Sequence, residues 1–195
     1  VQTCALPILT QKTKWMISKD YDFGLAMLSG VLDPDAKHPE LKFVGQTQLD
    51  ETSVLYLNYR GGITGMVERM ASEFPKLIAH ACPDGDALEA PPRALYNKVN
   101  LNTMDFDCDF CVPVVKGKNV GEYATKTIPG GRYFKATLQG SYDFLELAWH
   151  SFRTHLQMHK VKQDKSRSSM EVYLNDPHDV QHENELTTEL FIPIK

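Results

Sequence analysis

The sequence has no apolar run approaching the roughly 18 residues of a membrane helix, and no basic, apolar and cleavage regions of a secretory signal. These absences set a cytoplasmic expectation and no membrane partner. Positive charge is in short supply: 21 Lys and Arg against 25 Asp and Glu leave a net charge of -4. A chain that grips nucleic acid by itself needs a basic footprint, so direct nucleic-acid binding is not expected. Four cysteines in 195 residues are too few and too unevenly spaced for a disulfide framework. Cys108 and Cys111 form a C-x-x-C inside the alternating run Asp105 to Val112, where a spacing of three sends the two thiols to opposite faces of a strand. That excludes the shared geometry a zinc or redox pair requires.

Catalytic motifs are equally scarce. No G-x-S-x-G occurs, and no Cys or Ser can be set against a His and an acid by spacing. His155 and His159 stand four apart, as do His178 and His182, but no H-E-x-x-H and no third ligand accompany them. These histidines read as solvated surface, and no metal or cofactor is expected. The basic loop Lys160, Lys162, Lys165 and Arg167 reads the same way.

What is present is a globular composition, 42% hydrophobic and 24% charged, at a length suited to one domain with an appendage. Residues 1–8, VQTCALPI, lack an initiator methionine and fit no element. Translation of a common sequencing-library adapter gives these eight residues in order, so they are set aside and the chain is expected to be truncated upstream. Tyr21, Leu25, Leu28 and Leu32 recur at helical spacing, which predicts a helix over Asp20–Leu32 with Asp20 or Asp22 near its N-cap. Asp33-Pro34-Asp35 ends it. Residues 34–48, polar and broken by Pro34 and Pro39, read as a linker, and a new domain opens near Leu49.

That domain is built twice. Thr52 to Arg60 predicts a strand running into Gly61, and Arg132 to Gln139 one running into Gly140. An amphipathic helix follows each glycine. The first has Thr64 as a possible N-cap and Ile63, Val67, Met70, Phe74 and Leu77 as its apolar face; the second has Ser141 as N-cap with Leu145, Ala148, Trp149, Phe152 and Leu156. Two strands then close each half, ending at CDFCVPV and ELFIPI, with Pro113 and Pro193 near strand ends or edges because proline has no N–H for the ladder. The expected fold is α+β: repeats over 49–115 and 120–195, each strand-helix-strand-strand, forming a curved antiparallel sheet with helices on one face.

Helices on one face leave the other to solvent or ligand, so strand alternation becomes a functional map. Phe106, Cys108, Phe110, Val112 and Val114 are expected under the first helix, with Asp105, Asp107, Asp109 and Cys111 turned away. In TTELFIPIK, Leu190, Ile192 and Ile194 are expected to hold a helix while Glu189 and Phe191 face the groove. Glu171 and Tyr173 share a face in the preceding strand, which sets up Glu171 and Glu189 as neighbours across adjacent strands.

The segments KATLQGSYDFLELAWHSF, MEVYLNDP and TTELFIPI resemble the GyrI-like small-molecule-binding family, related to effector-binding domains of AraC- and MerR-type bacterial regulators. The likeness covers about Leu49 to Lys195 and is stronger in the second repeat. It implies a concave sheet face that holds a lipophilic or cationic aromatic ligand between acids and aromatic walls. By motif the acids are Glu171 and Glu189 and the walls Tyr173 and Phe191, with Trp149 and Tyr142 nearby. Phe191 stands where many relatives carry Tyr. MISKDYDFGLAML also resembles the last helix of a START-like domain, which implies that residues 9–33 are the remnant of such a domain upstream; a DNA-binding domain upstream is the other possibility.

A carboxylate in an apolar groove loses hydration, which raises its pKa unless a cation or hydrogen-bond donor compensates, and an aromatic face adds roughly 0.5 to 2 kcal/mol of cation–π attraction. The expectation is therefore a sensor or sequestering protein for a small cationic or amphipathic aromatic molecule. Two alternatives stand beside it: a hydrolase of reactive cyclopropane-type electrophiles using Glu171 or Glu189, and a protein-interaction role such as gyrase inhibition.

Overall fold

A computed structural model describes residues 11–33, 35–82, 88, 90–100, 103–115 and 123–195. In chain order the elements are α1 (Gln11–Leu32), β1 (Glu40–Leu49), β2 (Thr52–Gly62), α2 (Ile63–Ala81), β3 (Arg93–Asn100), β4 (Asp105–Pro113), β5 (Ala124–Ile128), β6 (Gly131–Gln139), a one-turn 3₁₀ segment (Tyr142–Phe144), α3 (Leu145–Met158), β7 (Ser169–Tyr173), a second 3₁₀ turn (Glu183–Glu185) and β8 (Thr187–Pro193). The eight strands form one antiparallel sheet in the order β1-β6-β8-β7-β3-β4-β2-β5. Its centre is the duplication: β2-α2-β3-β4 and β6-α3-β7-β8 meet along β3 and β7, where Ala94 lies opposite Glu171. Pro113 and Pro193 are the last residues of β4 and β8.

Glycine is required where the second repeat turns from β6 toward α3. Gly140 has φ +132, and a Cβ there would lie 2.7 Å from the His38 carbonyl oxygen. Ser141 then caps the 3₁₀ turn by accepting from the Asp143 N–H at 3.3 Å, and α3 continues from that turn. The first repeat differs. Gly62, without a side-chain cap, precedes α2, and Thr64 lies inside the helix.

Each helix buries the face its spacing predicts, with local exceptions. Phe74, Leu77 and Met66 pack on Leu55, Cys108, Phe110 and Val112, whereas Ile63 and Val67 are exposed. Ala148, Phe152 and Leu156 pack on Ala136, Leu138, Leu190 and Ile192. Cys108 and Cys111 fall on opposite faces, in different clusters, both as free thiols.

Three elements depart from the expectation, one of them β5, a strand that the repeat pattern does not include. Residues 40–48 are not linker but most of the edge strand β1, whose alternation is hidden by a bulge between Phe43 and Gly45. The extra residue reverses which face the odd positions take: Leu41 packs with α3's cluster on one side, Leu49 with the opposite side. The N-terminal helix begins before Asp20, at Gln11. Asp20 is mid-helix and bonds His150 at 3.1 Å, and Lys19 pairs with Glu146 at 3.0 Å. Phe23 is buried, but the stripe Tyr21, Leu25, Leu28 and Leu32 is exposed.

The sheet curls until its face away from the helices closes on itself. β1 runs on into β2 and β5 into β6, pairing as one ribbon from Glu40↔Gln139 to Leu49↔Gly131 and again from Thr52↔Ile128 to Tyr56↔Ala124. The ribbon's halves sit at opposite ends of the strand order, so it ties the two edges together. Val54, Leu95, Cys111, Ile128, Tyr133, Met170, Val172 and Phe191 consequently form a single inner core.

Candidate functional site

Helix α2 lies over β2 and β4, and α3 over β6. The central strands β3 and β7 therefore run beneath the gap between the helices. Glu171, in the middle of β7, points into that gap at 1% exposure. Its neighbours across the ladder are Ala94 and Leu190, and the small Ala94 leaves height above the sheet for rings.

Three neutral donors hold the carboxylate. Oε2 accepts from the Tyr96 hydroxyl at 2.9 Å and the Tyr173 hydroxyl at 2.6 Å, and Oε1 accepts from the Trp149 indole N–H at 2.5 Å. Burial pushes the Glu171 pKa above the ordinary carboxylate value, and these three bonds pull against the shift. Burial also raises Tyr96 and Tyr173 well above the usual phenol value, so both remain protonated donors at neutral pH. The rings close into a cage: Trp149 meets Tyr96 edge-on at 6.0 Å, Phe74 meets Tyr173 at 6.1 Å, and Tyr142 meets Tyr173 at 5.6 Å. Beside Tyr173 in the ladder, the Thr188 hydroxyl is buried with no hydrogen-bond partner among the described residues.

Four of the six residues singled out from sequence thus come together: Glu171, Tyr173, Trp149 and Tyr142. Glu189 and Phe191 do not join them. The register sets Glu171 opposite Leu190 and Glu189 opposite Val172, so the two acids lie on opposite faces of the sheet and are not a cross-strand pair. Glu189 is paired with Lys135 at 2.5 Å, and Phe191 is buried in the inner core against Tyr133. The expectation failed because both faces of β7 and β8 are apolar once the sheet curls, so alternation does not say which one meets a helix.

The inner face holds a cavity of about 110 Å³ lined by residues including Arg93, Ile128, Tyr133 and Met170. That is small beside the roughly 300 Å³ at which drug-sized pockets begin. Nearby, Asp109 is buried among Asn58, Asn97 and Lys126. Among the described residues no group of three or more His, Cys, Asp or Glu is placed to hold a metal. His155 is stacked on Phe43 at 4.0 Å, and His178 lies in a turn.

Sequence reasoning missed Tyr96 and Arg153. Tyr96 shares a strand face with Ala94, and Arg153 stands one helical turn from Trp149, with its guanidinium 5.4 Å over that ring. Either spacing was readable once Glu171 and Trp149 were in hand.

A curled antiparallel sheet of two strand-helix-strand-strand repeats, with a caged acid between the helices, is the architecture of a small-molecule-binding domain. The sequence model of the GyrI-like small molecule binding domain matches residues 47–195, and the chain belongs to that family. Among solved structures, EcmrR in a DNA complex is similar over 95% of this chain and 70% of its own, at 19% identity and a TM-score of 0.65. The EcmrR C-terminal domain is similar over 82% of this chain and 98% of its own, at 20% identity and 0.63. SAV2435 bound to tetraphenylphosphonium is similar over 77% and 92%, at 18% identity and 0.58. At these identities the likeness is one of fold. Among curated protein sequences none matches at a significant level.

Proposed function

We propose that this domain captures a small amphipathic aromatic cation between α2 and α3, as the sensing or sequestering part of the protein. Glu171 is the counter-charge, with Trp149, Tyr96, Tyr173 and Tyr142 as walls. One observation carries the reading: a carboxylate at 1% exposure, held by neutral donors inside an aromatic cage. Such a group is costly to keep ionised, and a bound cation offsets that cost directly while the rings add cation–π attraction. Access requires a ring to move, and Trp149, Tyr142 and Tyr96 are the partly exposed ones, whereas Tyr173 is buried. The fold likeness to SAV2435, a protein solved with an aromatic phosphonium, is in keeping with this choice.

Titration with tetraphenylphosphonium tests it. Glu171→Gln is expected to weaken binding at least tenfold, about 1.4 kcal/mol, while Glu189→Gln, whose acid belongs to Lys135 on the other face, stays within about twofold. Unchanged affinity in Glu171→Gln refutes the assignment.

A second reading draws on the same burial. A glutamate with a raised pKa suits general acid–base work, and a hydrolase from Listeria innocua shares the fold at 12% identity and a TM-score of 0.53. Turnover of a reactive electrophile, lost in Glu171→Gln, would distinguish a hydrolase from a binding domain.

A further inference from the structure

The inference that follows rests on Glu171 as a ligand's counter-charge. A second charge stands close to it. Arg153 and Trp149 leave α3 one turn apart on the same face. The Arg153 guanidinium lies 5.4 Å over the Trp149 ring, and the N–H of that ring donates to Glu171 at 2.5 Å. One indole therefore separates a half-buried cation from a buried anion, and the two charges lie within about 10 Å of each other, a limit set by those two contacts and the ring's width.

Among the described residues, no hydrogen bond and no ion pair engages the Arg153 guanidinium. It carries five N–H donors in a planar fork that matches a carboxylate. Burial pulls its pKa below the ordinary guanidinium value, and the fields of Tyr96 and Glu171 oppose that shift. Groups left in this state are costly unless a partner arrives. The neighbouring Glu171 does not serve, because the indole stands between them and its own oxygens are already taken by three donors.

We infer that Arg153 is a specificity-determining residue that selects zwitterionic aromatic ligands, whose cation meets Glu171 and whose carboxylate meets Arg153 across the Trp149 ring. A ligand with only a positive charge satisfies Glu171 but brings a like charge toward Arg153. A ligand with only a negative charge does the reverse. Only a ligand carrying both signs leaves neither group unpaired, and the repulsive element acts against the simpler competitors.

Rhodamine B, a zwitterion at neutral pH, and its ethyl ester, a pure cation with the same chromophore, form a matched pair of probes. Fluorescence anisotropy with the full chain is expected to show rhodamine B favoured at least tenfold. In Arg153→Gln, rhodamine B weakens at least tenfold while the ester holds or tightens, so the preference disappears. Arg153→Lys, which keeps the charge without the fork, retains part of it. Glu171→Gln weakens both dyes, and circular dichroism confirms that each variant is folded. Equal affinity for the two dyes in the unmodified protein, or a preference that survives in Arg153→Gln, overturns the inference. If the ester binds tightly and depends on Glu171 without any preference, only the role of Arg153 falls. If neither dye responds to Glu171→Gln, the Glu171 reading falls and takes this inference with it.

Discussion

Tyr173→Phe isolates one bond in the cage. The substitution deletes a single oxygen from a ring at 6% exposure; among the described residues that hydroxyl also lies 4.0 Å from the Met70 sulfur and within hydrogen-bond reach of the Tyr96 hydroxyl. What is lost is the 2.6 Å bond to Glu171 Oε2, while Tyr96 continues to serve the same oxygen. A hydrogen bond to a charged group contributes about 1.5 to 3 kcal/mol, and one to a neutral group about 0.5 to 1.5. The size of the effect therefore depends on the protonation state of Glu171. Burial holds the folded-state pKa above its unfolded value, so the native protein keeps a proton that the unfolded chain has released. Stability then falls as pH rises from the unfolded carboxyl value through the folded one. The Tyr173 bond lowers that folded value, and removing it raises the value further, so the variant's decline extends to higher pH. Its deficit is expected to grow from about 1 kcal/mol at acid pH to about 2 to 3 kcal/mol above the folded-state value. Urea unfolding followed by tryptophan fluorescence at a series of pH values measures both stabilities. A deficit that is flat with pH, or that shrinks as pH rises, refutes the account of Glu171 as a buried carboxylate held by Tyr173.

Gly140→Ala forces a side chain into φ +132 with 2.7 Å to the His38 oxygen, and thermal unfolding is expected to show a loss of about 1 to 3 kcal/mol; no loss would mean the turn re-forms easily. Asp109→Ala strands Lys126, Asn58 and Asn97 beside the inner core and is expected to cost about 3 kcal/mol in urea unfolding, the lower end for a broken buried pair because Lys126 is partly exposed. A loss below about 1 kcal/mol would show that water replaces the carboxylate. Burial pushes both Cys108 and Cys111 up to about 12, so with Cys4 and Cys82 replaced by Ser the native protein is expected to react with a disulfide reagent at pH 8 only as fast as it unfolds. Rapid labelling of either thiol would contradict their burial.

The repeats were legible in sequence because each carries the same local signals: a strand into glycine, a helix with one apolar face, and a proline-terminated strand. Those signals depend on neighbours within a few residues, and the structure keeps them at Gly140, Pro113 and Pro193 and on the buried faces of α2 and α3. Edge strand β1 was not legible because the bulge between Phe43 and Gly45 breaks the period of two that marks a strand. Tyr142, Trp149, Glu171 and Tyr173 were found through motif resemblance, and their meeting at one point depends on the two helices standing apart over β3 and β7.

The family, the duplication and the presence of an odd acid in each closing strand of the second repeat were thus determined by the sequence itself. Which acid lies in the cage was decided only by tertiary structure. In Met170-Glu171-Val172-Tyr173 and Thr188-Glu189-Leu190-Phe191, both alternating sets include apolar side chains, so local pattern is silent about the face each acid takes. The register Glu171↔Leu190 and Val172↔Glu189 separates the acids, and the curl that brings Val54 and Phe191 into one inner core closes the face where Glu189 meets Lys135. Strand pairing and sheet closure join residues far apart in the chain, and a slip of one residue would send every side chain to the other face.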